Sequence, residues 1–319
     1  MYSKKIIFSL LLLLPLSLFS KDLKTCVYIN SYHVGYYWSD GISKEIKKIL
    51  KDTCKIVEFG MDSKRNRDKE FLKNRALEAK KLIDSLNPDV VITSDDNAAK
   101  YLIKPYYKDS KIPFVFCGVN WTVEEYDFPY KNVKGIIEIK SIKAMFEIAL
   151  NITTGNKVLF LGEKTLSDSK DLLYLKDYAK RNNIILDTYS ATTVKNWKMA
   201  YLEAQKKYDF IVLGNYASIK NWNDKDIYDF IFKNSKVLSL CTYQGMIPYS
   251  MVSLVSVPEE QGIWAANTAK AILDGYSIKN VLIATNKRWA HYLNMELLNL
   301  ANIKVPRSLL IKSKKYERN

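Results

Sequence analysis

From Thr25 onward, short apolar runs alternate with amphipathic stretches almost without interruption. Residues 26–30 (Cys-Val-Tyr-Ile-Asn) read as a strand, 38–51 as a helix, 55–60 as a strand and 68–86 as a helix. Residues 90–93 follow as a strand, then a helix to about Tyr107, then strands at 114–117 and 133–138. The third of these strands sits in Pro88-Asp89-Val90-Val91-Ile92-Thr93-Ser94-Asp95-Asp96-Asn97-Ala98-Ala99. A β-branched run broken by polar residues and resuming as a helix is the pattern of a buried parallel strand running into a helix N-terminus. Strict alternation of this kind predicts right-handed βαβ crossovers and a parallel sheet covered on both faces.

A second round begins at Ser141. Helices at 141–151, 167–182, 194–207 and 223–234 alternate with strands at 157–161, 184–189, 210–213 and 236–240. No Gly/Ser or Pro-rich linker separates the rounds, so the pattern predicts two α/β lobes joined by strands. The end of the chain differs: 252–257 is apolar, 259–273 a long helix stopped by Gly275, 281–285 a short strand and 287–301 another helix. An extra helix and strand after a complete second unit predict a return to the first lobe near Ser250 and a second departure near Thr285. The expected boundaries are residues 1–20 as a signal peptide, 21–138 plus about 252–283 as the N-terminal lobe, and 139–251 plus about 284–319 as the C-terminal lobe.

In a doubly wound sheet of order 2-1-3-4-5, strands 1 and 3 open a crevice at their carboxyl ends. Ser31, Tyr32, His33 and Trp38 follow strand 1, Ser94, Asp95 and Asp96 follow strand 3, and Gly118, Asn120 and Trp121 follow strand 4. On the facing rim stand Glu163, Asn215, Tyr216, Tyr243 and Gln244. All fifteen are candidate ligand-binding residues. Ser94, Asp95 and Asp96 are also good helix caps, and tyrosines at strand ends also serve to cover a sheet rim. Of two adjacent carboxylates at a helix start, one is expected to cap and one to face the cleft.

The chain carries 49 Lys and Arg against 34 Asp and Glu, a net charge of +15. Its lysines are scattered singly or in pairs over amphipathic helices, which argues for solvated faces and against nucleic acid as a partner. Lys64-Arg65-Asn66-Arg67 after strand 2 reads either as a solvated turn or as an anion-attracting loop. Lys4-Lys5, an apolar core from Ile6 to Leu14 and a polar-leaning end at Ser20 make a secretory signal peptide, and the apolar run is shorter than the roughly 20 residues of a membrane span. A monomeric periplasmic protein without stable membrane insertion is expected. Export makes Cys26 and Cys54, at the starts of two neighbouring strands, a candidate disulfide pair, while Cys117 and Cys241 read as buried thiols. No Cys/His spacing suggests a metal, and no P-loop, GxGxxG or GxSxG motif suggests a cofactor or nucleophile. His33 has no second histidine or exposed cysteine at catalytic spacing, and His291 reads as a packing or surface residue on the last helix. Catalysis is therefore not expected, a hydrolase built on the same cleft being the remaining enzymatic reading.

Asn30-Ser31-Tyr32-His33, Trp38-Ser39-Asp40, Met61-Asp62-Ser63-Lys64-Arg65, Ser94-Asp95-Asp96-Asn97-Ala98 and Phe116-Cys117-Gly118-Val119-Asn120 together resemble the ABC-transporter substrate-binding protein family with a type I periplasmic-binding fold. Within it they are similar to the branch that also supplies extracellular sensing domains of bacterial signalling proteins. The resemblance implies an α/β fold of two doubly wound parallel-sheet lobes joined by three crossover strands, with a small organic ligand in the cleft. It also implies delivery of that ligand to an ABC permease, or presentation of the closed form to a sensor kinase. A cleft with aromatics, Asp and Asn suits an amino acid or a similar zwitterion or amine, its ammonium held by carboxylates and its carboxylate by helix N-termini.

Overall fold

The computed structural model describes residues 23–318, so the expected signal peptide lies outside the described residues. In chain order the first lobe lays down β1 (Lys24–Asn30), α1 (Tyr37–Leu50), β2 (Cys54–Gly60), α2 (Lys69–Leu86), β3 (Val90–Ser94) and α3 (Asp95–Ala98). A π turn (Ala99–Ile103) carries α3 into α4 (Lys104–Tyr106), and β4 (Phe114–Asn120) and β5 (Val133–Glu138) follow. Next come α5 (Ile142–Ile152), β6 (Lys157–Glu163), α6 (Leu166–Arg181), β7 (Ile185–Ala191), α7 (Val194–Lys207), β8 (Phe210–Leu213), α8 (Asp224–Asn234), β9 (Leu238–Cys241) and β10 (Val252–Ser256). The chain closes with α9 (Pro258–Leu273), β11 (Ala284–Thr285), β12 (Trp289–Leu293), α10 (Met295–Leu300), α11 (Arg307–Lys312) and β13 (Lys314–Lys315).

These strands form two sheets, one in the order β11-β5-β4-β3-β1-β2 and one in the order β13-β12-β10-β9-β8-β6-β7. The first contains the 2-1-3-4-5 order expected from alternation, and all its pairings are parallel. Successive residues of β1 serve opposite faces. Val27 and Ile29 pack with Ala76, Ala79 and Phe116, whereas Cys26 and Tyr28 pack with Ile42, Ile46 and the alanines of α9. α9 therefore returns to the first lobe as one of its two covers. Gly262 lets it approach α1, because a Cβ there would stand 2.5 Å from the Ile42 carbonyl oxygen. The second lobe has its own core around Trp197, Phe160 and Phe210.

Two expectations about the end of the chain are corrected. Residues 252–256 were expected to open the return to the first lobe, but β10 pairs in parallel with β9 and antiparallel with β12, inside the second sheet. The return happens one strand later, at Val257, and the first sheet keeps the chain through Thr285, which pairs with Ile137. Residues 287–301 were expected as one helix, yet Trp289–Leu293 is a strand that completes the open edge of β10. That places His291 opposite Leu254 on a strand rather than on a helix.

Cys26 and Cys54 are joined in a disulfide with their Cα atoms 5.9 Å apart. The register sets Lys24 opposite Cys54 and Cys26 opposite Ile56, so the bridge runs diagonally between the strands. It closes a loop with a sequence separation of 28 residues. Reduction is expected to lower stability by about 3 kcal/mol, read as a lower urea midpoint with reductant present. An unchanged midpoint under verified reduction would contradict this.

Candidate functional site

The carboxyl ends of β1, β3 and β4 meet the ends of β6 and β9 across a cleft, as the topology requires. The closed cleft leaves a cavity of about 30 Å³, walled by Tyr32, Tyr36, Tyr37, Trp38, Lys64 and Asp95 from the first lobe. Ser167, Thr242, Tyr243 and Gln244 face them from the second, with Glu138 and Lys140 at the first crossover. A cavity of that size holds about two waters and leaves no room for an organic molecule while the lobes are closed.

Asp95 is the most constrained group in this wall. Its backbone lies in the left-handed region at φ 69°, and strained non-glycine residues of this kind gather at functional sites. Trp38 Nε1 donates to Asp95 Oδ1 at 2.8 Å. Gly118, itself at φ +66°, makes room for that pair: a Cβ there would sit 3.0 Å from Asp95 Oδ1 and 3.4 Å from Trp38 Nε1. Asp95 Oδ2 is buried with no hydrogen-bond partner among the described residues. Burial, then the Glu138 and Asp96 charges, push its carboxyl well above the usual carboxylate range.

Two lysines reach into the same wall over aromatic rings. Lys64 Nζ lies 4.9 Å from the Tyr32 ring centroid and 5.3 Å from that of Tyr36. It makes no ion pair among the described residues, and burial pulls its pKa down. Lys140 Nζ lies 4.6 Å from the Tyr243 ring and pairs with Glu138. Burial opposes that ammonium, but Glu138 and Asp171 outweigh it and hold Lys140 protonated. The rings are thus arranged to receive cationic groups.

Beside the cavity a second group of residues ties the lobes together. Lys170 of α6 donates to Asp96 Oδ1 at 2.6 Å and to the Asn120 carbonyl at 3.2 Å, and also pairs with Glu125. Its Nζ is 3.1 Å from the Tyr126 hydroxyl. Trp121 Nε1 donates to Asp171 Oδ1 at 2.6 Å, and its ring stacks on Tyr174 at 4.0 Å. Tyr243 donates to Asp171 Oδ2 at 2.8 Å. The Lys170 and Trp121 contacts cross from one lobe to the other and act as a latch, while the Tyr243–Asp171 bond, both partners in the second lobe, holds Asp171 in place.

Of the expected ligand-binding residues, Tyr32, Trp38, Asp95, Asn120, Tyr243 and Gln244 line the cavity. Asp96 and Trp121 belong to the latch. Ser31 and Ser94 are buried in the loops' own bonding: Ser31 Oγ donates to the Ser94 carbonyl at 2.5 Å, and Ser94 Oγ is bonded to the Tyr28 hydroxyl at 3.0 Å. The expectation that one of the paired carboxylates caps the helix fails, since no side chain caps α3. His33 turns aside, its Nδ1 2.8 Å from the Val34 carbonyl, and it is not in the cavity wall. Tyr216 stacks on Trp222 at 4.4 Å and covers the rim of the second sheet. Glu163 is buried behind the wall, accepting from the Ser218 amide, and Asn215 holds the turn after β8 by accepting from the Tyr216 amide at 2.8 Å. The unforeseen residues are Tyr36, Tyr37, Glu138, Lys140, Ser167, Lys170, Asp171, Thr242 and Ser256, while Lys64 belongs to the loop read as solvated or anion-attracting. The aromatic pair at the start of α1 and the lysine after Ser63 were visible signals; α6 offered none, since Lys170 and Asp171 read as ordinary helix polar residues.

Two doubly wound lobes closing on a polar, ring-walled cleft define a type I periplasmic solute-binding fold. The chain belongs to the family described as ABC transporter substrate binding protein, which matches residues 33–317. Three solved structures have the same fold. An ABC domain from Streptococcus pneumonia in complex with L-Trp is 16% identical, with 92% of this chain and 99% of that chain covered at a TM-score of 0.69. A conserved domain protein from Vibrio cholerae is 16% identical, with 92% and 99% covered at 0.72. The ligand-free, open CD0873 of Clostridium difficile, a substrate binding protein with adhesive properties, is 14% identical, with 93% and 100% covered at 0.69. No curated protein matches the chain in sequence. Among the described residues no helix is long and apolar enough to cross a membrane.

Proposed function

We propose that this protein works in the periplasm, capturing a small amine-bearing organic molecule between its lobes and delivering it to an ABC permease. An amino acid or similar zwitterion is the preferred ligand. The observation that carries this reading is the unpartnered Oδ2 of buried Asp95 in a wall of Tyr32, Tyr36, Tyr37, Trp38 and Tyr243. A ligand ammonium would supply the missing partner and convert Asp95 to its charged form, while the rings stack on an apolar or aromatic body. The ligand's carboxylate is assigned to Lys64 rather than to a helix N-terminus, because α3 is short and already bonded by neighbouring loops. The complex of the Streptococcus relative with L-Trp supports an amino acid as the starting point. Family membership supports the permease as recipient. The cleft is read as a site of capture without turnover, because its wall pairs no nucleophile with a base.

The test is calorimetry with L-tryptophan, L-tyrosine, tryptamine and indole-3-propionate, with scattering to follow closure. Compounds with an ammonium group are expected to bind, and Asp95→Asn to weaken them about tenfold or more, the worth of a charge-assisted hydrogen bond. Since the ammonium selects ionised Asp95, binding should release protons and tighten as pH rises. Preference for indole-3-propionate, or affinity falling with pH, would refute the assignment.

A further inference from the structure

We propose that the cleft holds a second subsite, specific for a phosphate-like oxyanion, beside the aromatic cavity, with which it shares Tyr32, Lys64 and Ser167. A pocket of about 270 Å³ opens there between the lobes. Lys64, Arg67, Lys69 and Lys100 line it from the first lobe, and Lys164 with Ser167 from the second; no carboxylate is among its lining residues. Some exposed lysines elsewhere stand beside acids one helical turn away, as in Lys143–Glu147, Lys225–Asp229 and Lys270–Asp274. Others, such as Lys44, Lys73 and Lys176, make no ion pair among the described residues; what sets this group apart is that its cations converge on one pocket. Here Lys64, Lys69, Lys100 and Lys164 make no ion pair among the described residues. Gathering five cations around a pocket whose nearest ion-pair partner is the single carboxylate of Glu163, behind Arg67, costs stability unless an anion joins them.

Two buried groups aim that charge inward. Lys64 is only 8% exposed, and its ammonium makes no ion pair among the described residues: it lies over the Tyr32 and Tyr36 rings, with the Glu163, Asp168 and Asp95 charges further off. Arg67 Nη2 is buried without a hydrogen-bond partner, with Glu163 Oε1 3.8 Å away. The pocket also receives the first turn of the 16-residue helix α6, capped by Thr165, whose leading amides point out of the helix. A planar carboxylate would be satisfied by Lys64 alone. Donors arriving from a loop, two lysine-bearing helices and a facing helix start suit a tetrahedral, multiply charged oxyanion. Because each lobe supplies part of the shell, the anion also favours the closed form.

The anion is either inorganic phosphate as a second ligand or the phosphoryl group of the organic ligand itself. The subsite rests on the reading of this cleft as a ligand site, but its test does not need that ligand. Calorimetry and thermal shift on the folded mature chain use inorganic phosphate alone, against acetate at matched ionic strength, and then O-phospho-L-tyrosine. Phosphate is expected to bind and to raise Tm where acetate does not. Lys164→Glu and Lys100→Glu, both at exposed positions, are expected to weaken it about tenfold, and Lys64→Met to abolish it. Asp95→Asn should leave phosphate binding intact while weakening amines. O-phospho-L-tyrosine binding far more tightly than phosphate would assign the anion to the ligand; equal affinity would make it a separate co-ligand. No binding of phosphate beyond acetate, or binding unaffected by Lys164→Glu and Lys100→Glu, overturns the subsite even if amines bind. Phosphate binding without amine binding overturns only the earlier assignment.

Discussion

Replacing Lys170 by methionine is expected to open the two lobes in the absence of ligand. Lys170 reaches from α6 into the first lobe and contacts Asp96, Glu125, the Tyr126 hydroxyl and the Asn120 carbonyl. Removing one partner of a buried ion pair costs about 3–5 kcal/mol when the other must stay buried. Here Asp96 has an escape, because the lobes have separate cores and opening lets water reach it. The loss should therefore shift the closed-to-open ratio about a hundredfold or more rather than unfold the protein. Small-angle scattering would record a larger radius of gyration for Lys170→Met, and a cycle with Asp96→Asn would show strong coupling. Identical scattering for the two proteins, with no coupling, would remove the latch from the account.

Raising the pH from 5 to 9 is expected to destabilise the unliganded protein, chiefly through Asp168. Burial, then the neighbouring Glu163 charge, push its carboxyl up to about 8, although the Glu163 amide donates to it at 2.8 Å. The folded form holds this proton more tightly than the unfolded chain, whose value is near 3.8. Its contribution is thus full below about pH 4 and is lost as pH rises through about 8. Burial shifts Asp95 and Asp171 in the same direction. Lys64 opposes them, since its lowered pKa makes charging it in the fold unfavourable at lower pH. Urea midpoints for the wild type should fall between pH 5 and 9, and Asp168→Asn should flatten the slope. A wild-type midpoint that is flat or rises would contradict this.

Alternation alone made most of the architecture legible, because buried parallel strands read as apolar runs and their covering helices as amphipathic ones. β3 is the clearest case: all five residues are buried, as its β-branched composition implies. The end of the chain was less legible for a reason of the same kind. Val252–Ser256 is as buried as any central strand, and burial does not say which of two sheets it joins. Trp289–Leu293 is half-exposed along most of its length, so the two-residue period that marks a strand is blurred. Within the cleft, strand-end positions pointed to Trp38, Asp95 and Tyr243, since topology alone carries such residues there. Lys170 and Asp171 were not legible, because Lys170 and the Trp121 bond of Asp171 reach to the opposite lobe and helical spacing is silent about what faces a helix.

The threading of α9 has a consequence for how the chain is made. The alanines of this helix complete the side of the first sheet that holds Tyr28, Ile92 and Val115, yet in the sequence they follow β6 to β10 of the second lobe. While a ribosome synthesises the protein, the N-terminal unit stays uncovered on that side until Leu273 has emerged. The nascent polypeptide is therefore held short of its finished state through most of its own translation.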